Sequence, residues 1–152
     1  MRIISGLVIT FPPGTSEQDQ VAARQAAAAA LRESPAIREA YTWDELLSET
    51  DDQRPYFGAF RRSFHPDRSP DVVFVPHDTV LITNMDRETS HGTPHPFDSH
   101  VPLIFAGPSI APGRHAERVR TVDIAPTLAA ILGVRPMGTV DGRVLEEVGG
   151  RR

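Results

Sequence analysis

The sequence predicts an α/β fold in which short strands alternate with helices. Three features carry this prediction: an alanine-rich helical segment near the amino terminus, short apolar runs bounded by turn residues, and a capped helix near the carboxyl terminus. The length of 152 residues is typical of one domain, and 14 prolines indicate many turns. We therefore expect a folded chain that is rich in loops.

The first elements are a strand and a long helix. Residues 3–11 form a β-rich run that ends at a Pro-Pro-Gly break. Thr15 and Gln18 have capping-box spacing, and the segment EQDQVAARQAAAAALRE that follows has high helix propensity. The apolar face of this helix is predicted from the residues Val21, Ala28 and Leu31. The helix should pack against the sheet and carry no chemistry.

The next elements alternate in the same way. AIREAYTW, residues 36–43, is compatible with a strand, and DELLSE reads as a helical turn that Thr42 or Asp44 opens. DVVFVP, residues 71–76, is a continuous apolar run between turn residues, which predicts a strand buried on both faces. TVLIT, residues 79–83, is a further strand candidate.

The carboxyl-terminal part is predicted to contain one buried strand and one helix. HVPLIFAG, residues 100–107, has the pattern of the strand. TVDIAPTLAAILGV predicts a helix that Gly133 ends, with Asp123 near its start as an N-cap rather than a metal ligand. Residues 149–152 are expected to be disordered.

Composition excludes several classes of function. A net charge of -4 without a basic stripe argues against a nucleic-acid partner, although a small anionic ligand stays open. The absence of cysteine restricts any metal site to His, Asp or Glu ligands. No run approaches the roughly 18 apolar residues of a membrane span, and the first residues lack a signal-peptide cleavage site. The compartment stays unknown.

Half of the six histidines occur in one short stretch. The members of this cluster are His91, His95, His100 and the acidic Asp98. Pro94 and Pro96 prevent one helix from carrying the three rings on one face, so the spacing favours either a metal or acid-base site or unrelated loop histidines. Gly92 makes its neighbour His91 the strongest candidate, because the backbone can turn tightly there.

The other polar candidates have simpler interpretations. His95 and Asp98 are expected to be exposed, and His100 is expected to orient the loop through a hydrogen bond. Two histidines beside turns, His65 and His77, need no function. The basic residues that either face an anionic substrate or are solvated are Arg61, Arg62 and Arg68.

Several motifs in a fixed order resemble a known family. SHGTPHPFDSHVPLIFAGPSIAPG is followed by TVDIAPTLAAILGV and DGRVL, and RRSFHPDRSPDVVFVP precedes them. Together they resemble the C-terminal part of alkaline phosphatase superfamily proteins, especially the type I phosphodiesterase and nucleotide pyrophosphatase-like phosphatases. The resemblance covers residues from about 21 to 145, and Pro70 stands where the family pattern has glycine.

The resemblance implies a zinc-dependent phosphoester hydrolase acting on a small-molecule phosphoester. In that family two zinc ions stabilise the attacking and leaving oxygens while a threonine or serine attacks phosphorus. By resemblance His91 matches the last ligand of one zinc, and the other ligands and the nucleophile have no counterpart in this chain. We therefore expect no catalysis by the chain alone. The resemblance also implies a partial mixed sheet flanked by helices. Residues 1–152 are expected to be one C-terminal fragment of such a domain, with a small α/β segment at 1–80 and the metal loop, core strand and helix at 81–148.

Several alternatives stay open. A fragment of a longer coding region is favoured over a shortened descendant that acts as a non-catalytic interaction or ligand-binding protein. A stand-alone metal site built from His91, His95 and His100 is a third reading. Unpaired strand edges are expected to cause self-association. The sequence does not choose among monoesters, diesters and sulfate esters, and the family is often periplasmic or secreted.

Overall fold

The computed structural model describes residues 6–48, 53–82, 91–136 and 138–149. The chain divides into two compact units, Met1–Val101 and Pro102–Arg152. The first unit contains β1 (Gly6–Leu7), α1 (Glu17–Glu33), β2 (Ile37–Thr42), α2 (Trp43–Leu47), α3 (Phe57–Ser63), β3 (Val72–Pro76) and α4 (Pro96–Ser99). The second contains a 3-10 turn (Thr121–Asp123) and α5 (Ile124–Leu132). The predicted α/β class is confirmed, while the predicted division at residues 80 and 81 stays a prediction.

Helix α1 has the predicted extent and a different cap. Ser16 is the N-cap, because its hydroxyl accepts a hydrogen bond of 3.1 Å from the backbone N–H of Asp19. The predicted cap, Thr15, instead donates its hydroxyl to the Pro12 carbonyl at 2.7 Å. The Thr15 hydroxyl is therefore engaged in the turn before the helix and does not cap it.

The buried face of α1 contains an arginine that the apolar pattern does not reveal. Ala28 is fully buried as predicted, and Arg24 beside it is only 7% exposed. The Arg24 guanidinium forms ion pairs with Asp44 at 2.7 Å and Asp71 at 3.5 Å, and it lies 5.4 Å from the ring centroid of Trp43. These contacts compensate for the burial of the charge and tie α1 to the sheet.

Strand β3 lies in the middle of a three-stranded antiparallel sheet with the order β1-β3-β2. Its residues Val72, Val73 and Val75 are all buried, which confirms the prediction of a strand covered on both faces. Strand β1 has only two described residues, and residues 3–5 of the predicted first strand lie outside the described residues.

An aromatic cluster fills one face of the sheet. Tyr41 of β2 is fully buried and packs against Phe57 and Phe60 of α3, with ring centroids 5.3 and 5.8 Å apart. Helix α2 contributes Leu46 to the same cluster. Its N-cap is Thr42, one of the two residues predicted to open it. Thr42 and Glu45 form a complete capping box there.

In the second unit, helix α5 ends at Gly133 as predicted, with φ of 68°. Asp123 holds the N-cap position but makes no side-chain cap bond. Its buried carboxylate accepts hydrogen bonds from the backbone N–H groups of Arg120 at 2.8 Å and Arg143 at 2.9 Å, which lower the pKa of Asp123. Asp123 thus joins the start of α5 to the DGRVL segment.

A glycine allows that segment to approach the helix. A Cβ atom on Gly142 would lie 2.0 Å from the carbonyl oxygen of Val122, so no other residue fits without a backbone shift. The Leu145 N–H then donates to the Thr127 hydroxyl at 2.9 Å, and Leu145 is 2% exposed.

Three sequence predictions are wrong within the described residues. HVPLIFAG forms no strand, and Ile104 in its centre is 82% exposed, because no described strand offers this run a hydrogen-bonding partner. Residues 79–82 of the predicted strand TVLIT are irregular, and residue 83 lies outside the described residues. Gly149 pairs with Ile110 in an isolated bridge, so it is ordered, and residues 150–152 lie outside the described residues.

Within the described ranges, no helix combines the length and apolar character that crossing a membrane requires.

Candidate functional site

The loop that ends in helix α4 is closed on itself by a threonine and an aspartate. Pro96 begins α4 and places Asp98 in its first turn. Asp98 Oδ2 accepts hydrogen bonds from Thr93 Oγ1 at 2.6 Å and from the Thr93 backbone N–H at 2.9 Å. The hydroxyl bond, followed by the backbone bond, lowers the pKa of Asp98 below its ordinary value. We call residues 93–98 the closed loop.

His91 lies just outside the closed loop, and its side chain is exposed. Gly92 connects it to Thr93 and has φ of 99°. A Cβ atom at Gly92 would meet no atom within 4 Å, so the backbone angle rather than crowding favours glycine there. The positive φ at Gly92 is the backbone freedom for which glycine was singled out, but residues 91–93 form no regular turn, and the role of His91 as a ligand stays a prediction.

His95 occupies the centre of the closed loop, and the expectation that it is exposed is wrong. It is 1% exposed, and its ring stacks on Phe97 at a centroid distance of 5.2 Å. His95 Nδ1 lies 3.1 Å from the Tyr56 hydroxyl, and Nε2 lies 2.9 Å from the Pro76 carbonyl oxygen. Partners on two distant segments bury the ring. Asp98, also expected to be exposed, is half-buried because its carboxylate closes the loop.

The partners of His95 assign its tautomer. A backbone carbonyl can only accept a hydrogen bond, so Nε2 carries the proton and donates to Pro76. In the neutral ring Nδ1 then has a lone pair and accepts from the Tyr56 hydroxyl. Both nitrogens are therefore occupied, and neither is free to bind a metal ion.

Tyr56 holds its hydroxyl there from a strained backbone. Its φ of 66° and ψ of 3° lie in the left-handed region, which costs a residue other than glycine about 1 to 3 kcal/mol. The preceding residue, Pro55, accepts a hydrogen bond from the buried Tyr41 hydroxyl. Arg54 stacks 4.7 Å from the Tyr41 ring and pairs with Glu45 at 2.6 Å. Contacts to the aromatic core thus maintain the left-handed backbone conformation at Tyr56.

The remaining sequence candidates lie outside this arrangement. His100 is exposed at the end of α4, and within the described residues its ring makes no hydrogen bond, so the expectation that it orients the loop in this way is wrong. His65 Nδ1 accepts from the backbone N–H of Asp67 at 3.2 Å, a turn contact as expected. Arg62 and Arg68 are exposed, and Arg61 is half-exposed.

The described residues alone do not form a metal centre. They contain no group of three or more His, Asp or Glu side chains arranged to hold an ion. The reading of His91, His95 and His100 as a local site fails specifically because both nitrogens of His95 are occupied. His91 and His100 are both exposed, and the role of His91 as a metal ligand stays a prediction.

Comparisons with known proteins find relatives for this chain as a whole. The chain is 30% identical over 122 residues to the alkaline phosphatase PafA of Elizabethkingia meningoseptica, a match that covers 80% of this chain and 22% of that protein. It is 31% identical over 139 residues to the alkaline phosphatase PhoD of Zymomonas mobilis subsp. mobilis, covering 86% and 24%. The chain is thus similar to alkaline phosphatases over most of its own length and resembles a fragment of an alkaline-phosphatase-like protein. No protein-family model matches this chain.

The similarity to alkaline phosphatases extends to three dimensions. The crystal structure of wild-type PafA superposes with a TM-score of 0.71 at 26% sequence identity, covering 89% of this chain and 25% of that chain. This confirms the fold resemblance and a common origin with phosphoesterases. The chain spans about a quarter of the length of the relatives that it matches.

Sequence reasoning missed the anchoring of the closed loop. Pro96 is a signal that could have revealed part of it, because proline often begins a helix and would have placed Asp98 where it reaches back to Thr93. Tyr56 and Pro76 have no comparable signal. They lie 39 and 19 residues from His95, and only the fold brings them together.

Proposed function

We propose that this chain forms part of a zinc-dependent phosphoester hydrolase and that His91 supplies one ligand of a zinc ion. The observation that supports this proposal is an exposed histidine beside a loop that hydrogen bonds hold in place, in a chain similar to alkaline phosphatases. The remaining ligands and the nucleophile are assigned to parts of that hydrolase other than these 152 residues.

The chemistry of the two loop histidines supports His91 over His95. A metal-binding imidazole needs one nitrogen with an accessible lone pair. The exposed ring of His91 meets this requirement, whereas both nitrogens of His95 serve Tyr56 and Pro76. One exposed histidine binds zinc weakly by itself, because tight sites need about three converging protein ligands.

When bound, zinc supplies Lewis-acid stabilisation of charge on phosphoester oxygens. The contribution of this chain is to hold one ligand in a reproducible position. Thr93 and Asp98 fix the backbone immediately after Gly92, so the entropic cost of presenting His91 is paid on folding rather than on metal binding.

The proposal is tested with a chimera in which the aligned 122-residue segment of PafA is replaced by the matching residues of this chain. Folding is verified by circular dichroism and gel filtration. Zinc per chain is measured by elemental analysis, and activity with p-nitrophenyl phosphate. His91→Ala should lower zinc content and reduce activity at least about 100-fold, since a ligand rather than a supporting group is lost. His100→Ala, which removes an exposed ring nine residues away, should change either quantity less than about twofold.

Equal losses from the two substitutions, or a folded His91→Ala chimera with full zinc and activity, would overturn the proposal. If the chimera does not fold, zinc titration of the 152-residue chain observed by NMR replaces it. The His91 ring resonances should then shift at millimolar zinc while those of His95 stay in place. A non-catalytic binding protein derived from such an enzyme predicts no preference for His91 in either experiment.

A further inference from the structure

We infer that Tyr56 and His95 are positioning residues that fix the closed loop against the end of β3 and thereby set the position of His91. The inference deepens the proposed function and rests on it only for the metal-binding role of His91. Neither Tyr56 nor His95 is assigned contact with metal or substrate.

The first step is the direction of the Tyr56 side chain. A left-handed backbone at a tyrosine is retained only where surrounding contacts determine it. The turn is held from the core side by the bond from Tyr41 to Pro55. On the other side, the Tyr56 ring packs edge-on against His95 at 5.3 Å, and its hydroxyl donates to that ring. The unfavourable conformation thus serves to direct the phenol towards His95.

The second step is the anchor at the sheet. Pro76 is the last residue of β3, the strand that has a neighbour on each side in the described sheet. Its carbonyl oxygen accepts a hydrogen bond from the Nε2–H group of His95 in a buried environment. A bond of this kind is directional, and losing it would leave a buried polar group unsatisfied. His95 therefore fixes both the distance and the orientation of the closed loop relative to β3.

The third step transmits this placement to His91. The Thr93 to Asp98 bonds close the backbone around His95, so the loop moves as one piece. Only Gly92 separates this piece from His91, and its φ of 99° is a conformation that few other residues adopt. The position of the His91 backbone consequently follows from the position of His95.

An apolar residue at position 95 could fill the same space without the same control. Leucine would bury comparable surface against Phe97 but would make neither hydrogen bond. Glutamine has an amide N–H donor and a carbonyl acceptor on one side chain, so it can replace both bonds to Pro76 and Tyr56. The pair His95→Leu and His95→Gln separates hydrogen bonding from volume.

The test uses NMR of the full 152-residue chain. Long-range proton–nitrogen spectra should show His95 as the Nε2–H tautomer with a slowly exchanging ring proton. Tyr56→Phe and His95→Leu should each speed amide exchange at Thr93 by about fivefold or more, while His95→Gln should restore it to within about twofold. His100→Gln, an exposed change in the same segment, should have no effect. An Nδ1–H tautomer, or unchanged exchange in both Tyr56→Phe and His95→Leu, would overturn the inference.

A metal readout connects the pair to His91. In the zinc-loaded chimera, Tyr56→Phe should weaken zinc affinity by about tenfold in competition with a chelator, as for loss of other groups that orient a ligand. His95→Gln should retain affinity within about threefold. Unchanged affinity in Tyr56→Phe would overturn the positioning role. If the exchange results hold while His91→Ala keeps full zinc, the proposed function fails and the anchoring of the loop stands.

Discussion

Two sets of described residues differ in how far the fold buries them. The anchored region comprises β3 and the closed loop, where valines, His95 and Asp98 are buried or hydrogen-bonded. The exposed region comprises His91 and residues 101–104, which include Val101 at 58% exposure and Ile104 at 82%. The two regions have similar residue types. Contacts to distant segments, rather than local composition, therefore decide which histidine is structural and which apolar run becomes a strand.

The largest expected effect comes from the same substitution in each region. Val75→Ala removes two methyl groups from a fully buried site and should lower the free energy of unfolding by about 2 kcal/mol. Val101→Ala removes the same groups from an exposed site and should change it by less than about 0.5 kcal/mol. Urea denaturation of the isolated chain measures both. Similar losses of unfolding free energy in the two variants would show that Val101 is packed rather than exposed.

The second largest expected effect comes from Gly92, which connects His91 to the closed loop. Gly92→Ala forces φ of 99° on a residue with a Cβ atom and should destabilise the loop by about 1 kcal/mol or more, measured by amide exchange at Thr93. Gly58→Ala is the control, because Gly58 lies inside α3 and its added Cβ meets only the exposed Arg62 guanidinium, at 3.2 Å, which can move aside; alanine should then stabilise the chain by up to about 1 kcal/mol in urea denaturation. A harmless Gly92→Ala would mean that the loop does not need this backbone angle.

The smallest effect is a pH dependence within the anchored region. Hydrogen bonds from Thr93 lower the pKa of folded Asp98, so its stabilising contribution is fully present above the unfolded value of about 3.9. It should be lost as pH falls through the lower folded pKa. The Thr93 amide chemical shift should report this transition, and Asp98→Asn should abolish it. Asp78→Asn, an exposed change nearby, should leave the transition in place; loss of the transition in that variant instead would assign it to the wrong carboxylate.

Sequence patterns predicted the elements that local rules control. Helix α1, the Thr42 cap, strand β3 and the Gly133 end of α5 follow from propensity, capping and apolar periodicity. The prediction for 100–107 is wrong because strand formation also needs a pairing partner, which an apolar run does not encode.

The candidate site was predictable only in its exposed part. His91 and the positive φ at Gly92 are adjacent in sequence, so family resemblance singles out the histidine and local backbone rules explain the glycine. The burial of His95 depends on Tyr56 and Pro76, and the burial of Arg24 on two distant carboxylates. Local patterns contain no information about such contacts, which explains why the sequence predicted an exposed His95.

The central claim is that His91 binds the metal while His95 holds the loop. The most direct measurement is proton–cadmium correlation NMR of the chimera loaded with ¹¹³Cd in place of zinc, because scalar coupling passes only through a coordinate bond. We expect a coupling between the metal and the ring protons of His91, which His91→Ala should abolish. We expect no coupling between the metal and His95. A cadmium coupling to the ring of His95, or a fully loaded protein with no coupling to His91, would contradict it.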